Sequence, residues 1–76
     1  MGRPLSIIAA EIRRDWKNVN YAAKPYLEAI SSLSDISDNY YHDTGKSVVL
    51  YFLANAGSWR GDVARRIKAE LKEMSK

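Results

Sequence analysis

The chain has 76 residues, no cysteine and a single histidine, with 12 lysine and arginine residues against 9 aspartate and glutamate, for a net charge of +3. A chain this short makes one domain and buries only about 60% of its unfolded surface, so close helix packing or association must do the work of disulfides. The missing cysteines and the lone His42 exclude zinc fingers, iron–sulfur clusters, thiol catalysis and most zinc enzymes.

The charge is unevenly spread. Residues 1–33 carry five basic and three acidic groups, 34–47 one and three, and 48–76 six and three, which gives +2, −2 and +3. A modest basic excess is compatible with nucleic acid without establishing it. The first apolar run, Leu5 to Ala10, is too short for a signal-peptide core or a membrane span, and Glu11 follows at once. A cytosolic protein without membrane contact is the expectation. Met1-Gly2-Arg3-Pro4-Leu5-Ser6 fits the myristoylation pattern formally, but Arg-Pro directly after the glycine argues against it.

In chain order, Leu5, Ile8, Ile12 and Trp16 recur at spacings of three and four, which predicts a first helix ending near Lys17 or Asn18. Arg13 and Arg14 then point away from the core. Ala23, Leu27, Ile30 and Leu33 form a second stripe interrupted by Pro25. A start at Tyr21 makes Pro25 a kink, whereas a start at Lys24 makes it a favourable early-turn residue. Ser34 to Asp43 is rich in Ser, Asp and Asn, which favour turns. With Ile36, Tyr40 and Tyr41 inside it, this loop is expected to form a short helical turn packed onto the domain. Asp43 or Thr44 can cap a third helix over Lys46 to Ala56, with Gly57 as its left-handed stop. Its core, Val48-Val49-Leu50-Tyr51-Phe52-Leu53, also suits a strand, but no second segment alternates to pair with it. Ser58 is expected to cap a last helix in which Val63, Ile67, Leu71 and Met74 share one face and Asp62 to Arg66 and Arg66 to Glu70 give supporting spacings of four. The fold class expected is all-α: a single domain over 1–76, a compact three- or four-helix bundle around a central apolar helix.

No catalytic constellation can be assembled, so no enzyme, cofactor or metal is expected. Gly45-Lys46-Ser47 has the end of a phosphate-binding loop, but Tyr40 stands where its first glycine belongs. Asp35, Ser37 and Asn39 alternate as in a calcium loop, yet Tyr40 replaces the required glycine and Lys46 the closing glutamate. Arg60-Gly61-Asp62 spells an integrin-binding tripeptide, here in the expected first turn of a helix, where an aspartate suits the dipole. Asn55 to Ile67 has the parts of a helix-turn-helix, but Leu53, Ser58 and Arg66 disagree with its packing positions, which leaves a plain helical hairpin. Gly2-Arg3-Pro4 is similar to the centre of an AT-hook without its left-hand arginine. The feature with most weight is a basic stripe on the last helix, Arg65, Lys68, Lys72 and Lys76, extended by Arg60 at the helix start and placed opposite the apolar face with no acid among them. The bland reading of that stripe is a solvated face.

Three segments, Ala10-Glu11-Ile12-Arg13-Arg14-Asp15-Trp16-Lys17, Asn20-Tyr21-Ala22-Ala23-Lys24-Pro25-Tyr26-Leu27 and Tyr51-Phe52-Leu53-Ala54-Asn55-Ala56-Gly57-Ser58-Trp59-Arg60-Gly61, resemble short uncharacterised helical proteins of bacterial phages and mobile genetic elements. The resemblance carries no active site. It implies a non-enzymatic protein of the bacterial host cytoplasm that binds and blocks host machinery, CRISPR and other defence systems included. The expected partner is a host protein or nucleoprotein complex. Direct binding of DNA or RNA is the second expectation, and a homo-oligomeric sponge for a nucleotide signal, with Tyr40 or Tyr41 stacking on the base, is the third.

Overall fold

The computed structural model describes residues 3–76. The first helix, α1 (Leu5–Asp15), buries Leu5, Ile8, Ala9 and Ile12, the face that the spacing predicts. It stops at Trp16, two residues before the expected end, and Trp16 itself is buried. Met1 and Gly2, which open the myristoylation-like string and include the first residue of the AT-hook-like one, lie outside the described residues.

The second helix, α2 (Lys24–Ser31), resolves the ambiguity at Pro25, which occupies its first turn, where a missing N–H costs nothing. The side-chain amide of Asn20 donates to the Asn55 carbonyl at 3.2 Å, and the Asn20 carbonyl accepts from the Ala23 and Lys24 N–H groups at 2.9 and 3.1 Å. The segment from α1 to α2 is thereby pinned.

Between α2 and the third helix the Asp38 N–H donates to the Asp35 carbonyl at 3.0 Å in a turn, and Ile36 and Tyr40 pack against the core as expected, but the turn does not extend into a helix and leads to strands. The segment instead forms an antiparallel hairpin of two two-residue strands, β1 (Asn39–Tyr40) and β2 (Asp43–Thr44), so the molecule is mostly helical rather than helical throughout. Strands this short leave no alternation in the sequence to detect. Tyr41, at the first position of the turn, has φ 56°, a left-handed conformation that costs a side chain bearing Cβ about 1–2 kcal/mol. Before the hairpin, the Asp38 carboxylate accepts from the Ser34 and Asp35 N–H groups at 3.1 and 3.0 Å. Both bonds fall on one carboxylate oxygen, Asp38 Oδ2, which ties the end of α2 to the hairpin.

The third helix, α3 (Gly45–Ala54), begins with the Thr44 hydroxyl accepting from the Ser47 N–H at 3.1 Å. Gly45 is required by packing: a Cβ there would lie 2.6 Å from the Ile36 carbonyl oxygen. This close approach accounts for the glycine that resembled a phosphate-binding loop. Val48, Val49 and Phe52 are buried, but Leu50 and Tyr51 are about half exposed, so α3 is not enclosed on all sides. It ends at Asn55, whose side-chain amide donates to the Tyr51 carbonyl at 2.8 Å. Gly57 is not the left-handed stop expected, because Asn55 ends the helix two residues earlier.

The last helix, α4 (Asp62–Met74), starts four residues beyond Ser58. Its N-cap is Gly61, at φ 114° and ψ −179°, a region open in practice only to glycine. Ile67 and Leu71 are buried, with Val63 and Met74 packed at the margin of the core. The expected spacings of four are not the pairs that form. Arg66 reaches across to Glu11 on α1, and Asp62 lies 3.5 Å from Arg65.

The helices α1 and α4 run antiparallel. At one end, Arg3 pairs with Glu11 at 2.7 Å and with Glu70 at 2.8 Å, and at the other the Trp59 indole N–H donates to Asp15 at 2.8 Å. The core is closed between them by Trp16 and Trp59, stacked at 5.7 Å and 9°, with Phe52 edge-on to both. Each large apolar side chain buried here contributes about 1.5–3 kcal/mol.

Candidate binding surface at one end of the bundle

The topology sorts the helix ends into two groups. The C-terminal ends of α1 and α3 lie with the N-terminal ends of α2 and α4, joined by the Asn20 to Asn55 and Trp59 to Asp15 bonds. The hairpin lies at the opposite end with the start of α1, whose Leu5 N–H donates to Ser34 at 2.9 Å, and with the end of α4, held by Arg3.

The first group collects positive charge from three separate parts of the chain. Arg13 and Arg14 close α1 and Lys17 follows it; Lys24 opens α2; Arg60, Arg65 and Lys68 surround the start of α4. Three carboxylates share this end, each already engaged: Asp15 with Trp59, Glu28 with Arg13 at 3.9 Å, and Asp62 with Arg65. Among the described residues, Arg14, Lys17, Lys24 and Arg60 are exposed and make no ion pair. Two shallow grooves of about 290 Å³ open here. One is bordered by Arg13, Lys17, Lys24 and Glu28, and the other by Trp59, Arg60, Arg65 and Lys68.

Lys68 shows how the charge is held. Its ammonium donates to the Trp59 carbonyl at 2.6 Å and lies 5.9 Å from the centre of the Trp59 ring. Partial burial pushes its pKa below the ordinary lysine value, and the neighbouring Arg60 and Lys72 push it further. Like charges therefore face one another here without a carboxylate between them. Trp59 is buried and supports the patch from beneath.

Of the sequence-derived site residues, Arg60, Arg65 and Lys68 come together, while the others do not join them. Lys72 lies one turn further along α4 and is exposed, and Lys76 pairs with Glu73 at 3.2 Å near the opposite end. The stripe is also not free of acid, since Asp62 and Glu73 each meet one of its cations. Tyr40 and Tyr41 pack edge-to-face at 4.8 Å on the hairpin, at the far end from Arg60. Within one chain, Tyr40 and Tyr41 therefore stand apart from the Arg60 cluster. Among the described residues no three potential metal ligands cluster.

Comparisons with protein-family models, with curated protein sequences and with solved structures find no match. The surface must be interpreted from its own chemistry.

Sequence reading missed Arg14, Lys17, Lys24 and Tyr21 because their shared location depends on how four helix ends meet. The one local signal was that Arg13 and Arg14 fall off the apolar face of α1. It also missed the ion network of Arg3, Glu11, Glu70 and Arg66. There, hydrogen bonds from Arg3 hold Glu70 below the ordinary carboxylate range, those from Arg3 and Arg66 do so for Glu11, and the two glutamates raise the Arg3 pKa. No helix is long and apolar enough to cross a membrane among the described residues.

Proposed function

We propose that this is a non-enzymatic binding protein that occupies an anionic surface of a larger protein or nucleoprotein complex through its basic end. The observation that carries this reading is the gathering of unpaired Arg14, Lys17, Lys24 and Arg60 from three parts of the chain onto one end. Exposed charges held at close quarters raise the potential outside them and draw an opposite surface inward. Binding is favoured over catalysis because the groups whose ionisation the fold perturbs, Arg3, Glu11, Glu70 and Lys68, are all bound into structural contacts. The resemblance to phage and mobile-element proteins supplies the setting for the same reading, in which the partner is host machinery such as a CRISPR defence complex and the place is the bacterial cytoplasm.

The test compares partners captured from a bacterial lysate by the native chain, by an Arg14→Glu/Lys17→Glu/Lys24→Glu/Arg60→Glu variant and by Tyr41→Ala. A specific partner kept by the native chain and by Tyr41→Ala but lost by the charge variant is expected. If the charge variant keeps that partner, the basic end is not the docking surface.

A further inference from the structure

The basic end also presents an aromatic ring that the core does not use. Tyr21 is 88% exposed, the most exposed large hydrophobic side chain among the described residues. It stands on the turn between Val19 and Lys24, both of which border the groove with Arg13 and Lys17. This turn is braced. The Asn20 side-chain amide holds the end of α3, its carbonyl takes two backbone N–H groups, and its side-chain oxygen accepts from the Ala22 N–H at 3.4 Å. A tyrosine left in water on a pinned turn, flanked by lysines, contributes nothing evident to folding. The other aromatic side chains near this end are used otherwise: Trp16 and Trp59 stack within the core, and Tyr26 stacks on Tyr51 at 5.5 Å.

We propose that the basic end binds single-stranded nucleic acid, with a base stacked on Tyr21 and the phosphate backbone running over Arg14, Lys17, Lys24 and Arg60. The inference rests on the docking reading above and names its partner as a single strand, free or displayed by a nucleoprotein complex. Two observations favour this over an acidic protein surface. A phosphate chain offers charges at regular intervals and can follow cations scattered over three helix ends, whereas the two grooves are too shallow to seat a folded protrusion. A solvated ring carried on a braced turn beside cations is the arrangement by which a base is taken without reading its sequence. A duplex keeps its bases stacked inside and offers Tyr21 nothing to stack on.

The test is fluorescence anisotropy of a labelled oligothymidine of about 15 nucleotides, of a duplex of the same length, and of labelled polyglutamate. Four phosphate contacts on a single strand give a slope of about −3 in log affinity against log salt, or roughly 50-fold weaker binding on going from about 50 to about 200 mM salt. Tyr21→Ala should weaken oligothymidine binding about tenfold and leave the salt slope unchanged. Lys17→Gln and Arg60→Gln should each reduce the slope by about 0.7. Tyr21→Phe should bind as the native chain does, and circular dichroism should show all four variants folded, since every substituted side chain is exposed. Equal or tighter binding of the duplex, or a Tyr21→Ala variant that binds normally, overturns the proposal. Polyglutamate binding that depends on Arg60, with no oligothymidine binding, overturns it too while leaving the docking reading in place. Failure of both ligands removes both.

Discussion

The two ends of the bundle are built on different terms. At the end carrying Trp59, two indoles stack, Phe52 closes the cluster, the Trp59 N–H is satisfied by Asp15 and its carbonyl by Lys68. At the hairpin end, two strands of two residues are tipped by a strained, exposed Tyr41. The former holds cations close together and needs a stiff support for them. The latter is a short connection in which local strain persists because the helices on either side fix where it must begin and end. Unequal stability across one small domain is therefore the expectation to challenge.

The largest effect should come from Trp59→Ala, which removes the indole stack, the bond to Asp15 and the roof under Lys68. A loss of about 3–5 kcal/mol is expected in denaturant unfolding, and a loss near zero would contradict the buried position of this ring. At the opposite end, Gly45→Ala forces a methyl group against the Ile36 carbonyl and should cost about 1–3 kcal/mol. A neutral outcome there would mean that the hairpin end gives way freely. Tyr41→Gly acts in the reverse direction. Relief of the left-handed conformation, less the added freedom of glycine in the unfolded chain, should raise stability by up to about 1 kcal/mol, read as an increase in Tm.

The smallest effect concerns pH. Arg3 holds both Glu11 and Glu70 below the ordinary value of 4.5, so the stability they contribute is present above that value and lost as the pH falls through their lowered folded pKa values. All three side chains are partly solvated, so the contribution is modest. Unfolding midpoints measured from neutral to acid pH should fall for the native chain below 4.5 and fall less for Arg3→Ala. Parallel curves for the two proteins would show that the clamp does not form in solution.

The legible parts of this fold were those written in local spacing. Leu5, Ile8 and Ile12 gave α1 its buried face, Ile67 and Leu71 did the same for α4, and Thr44 marked the start of α3. What was not legible depended on contacts between distant residues or on choices among similar local signals. Gly57 and Gly61 are four residues apart with a serine after the first, and nothing local says that the second takes the positive φ. Asn55 ended α3 through its side chain, a stop that a nearby glycine concealed. Arg66 had carboxylates at convenient spacing on its own helix but found a better-placed partner on α1, because antiparallel packing brings Glu11 beside it. The candidate surface suffered most. A helical wheel for α4 groups Lys68 with Lys76, whereas along the axis they lie apart, Lys68 held by the Trp59 carbonyl before the helix and Lys76 paired with Glu73 beyond its end.

The separation of charge along the molecule bears on how quickly a complex forms. Asp35, Asp38 and Asp43 outnumber Lys46 about the hairpin, while Arg14, Lys17, Lys24 and Arg60 lie at the other end, so the protein behaves as a dipole in an external field. As it diffuses toward a polyanion it experiences a torque that turns the Trp59 end forward and the hairpin away before any contact is made. A greater share of collisions then begins in a productive orientation, and added salt slows arrival more than it hastens departure.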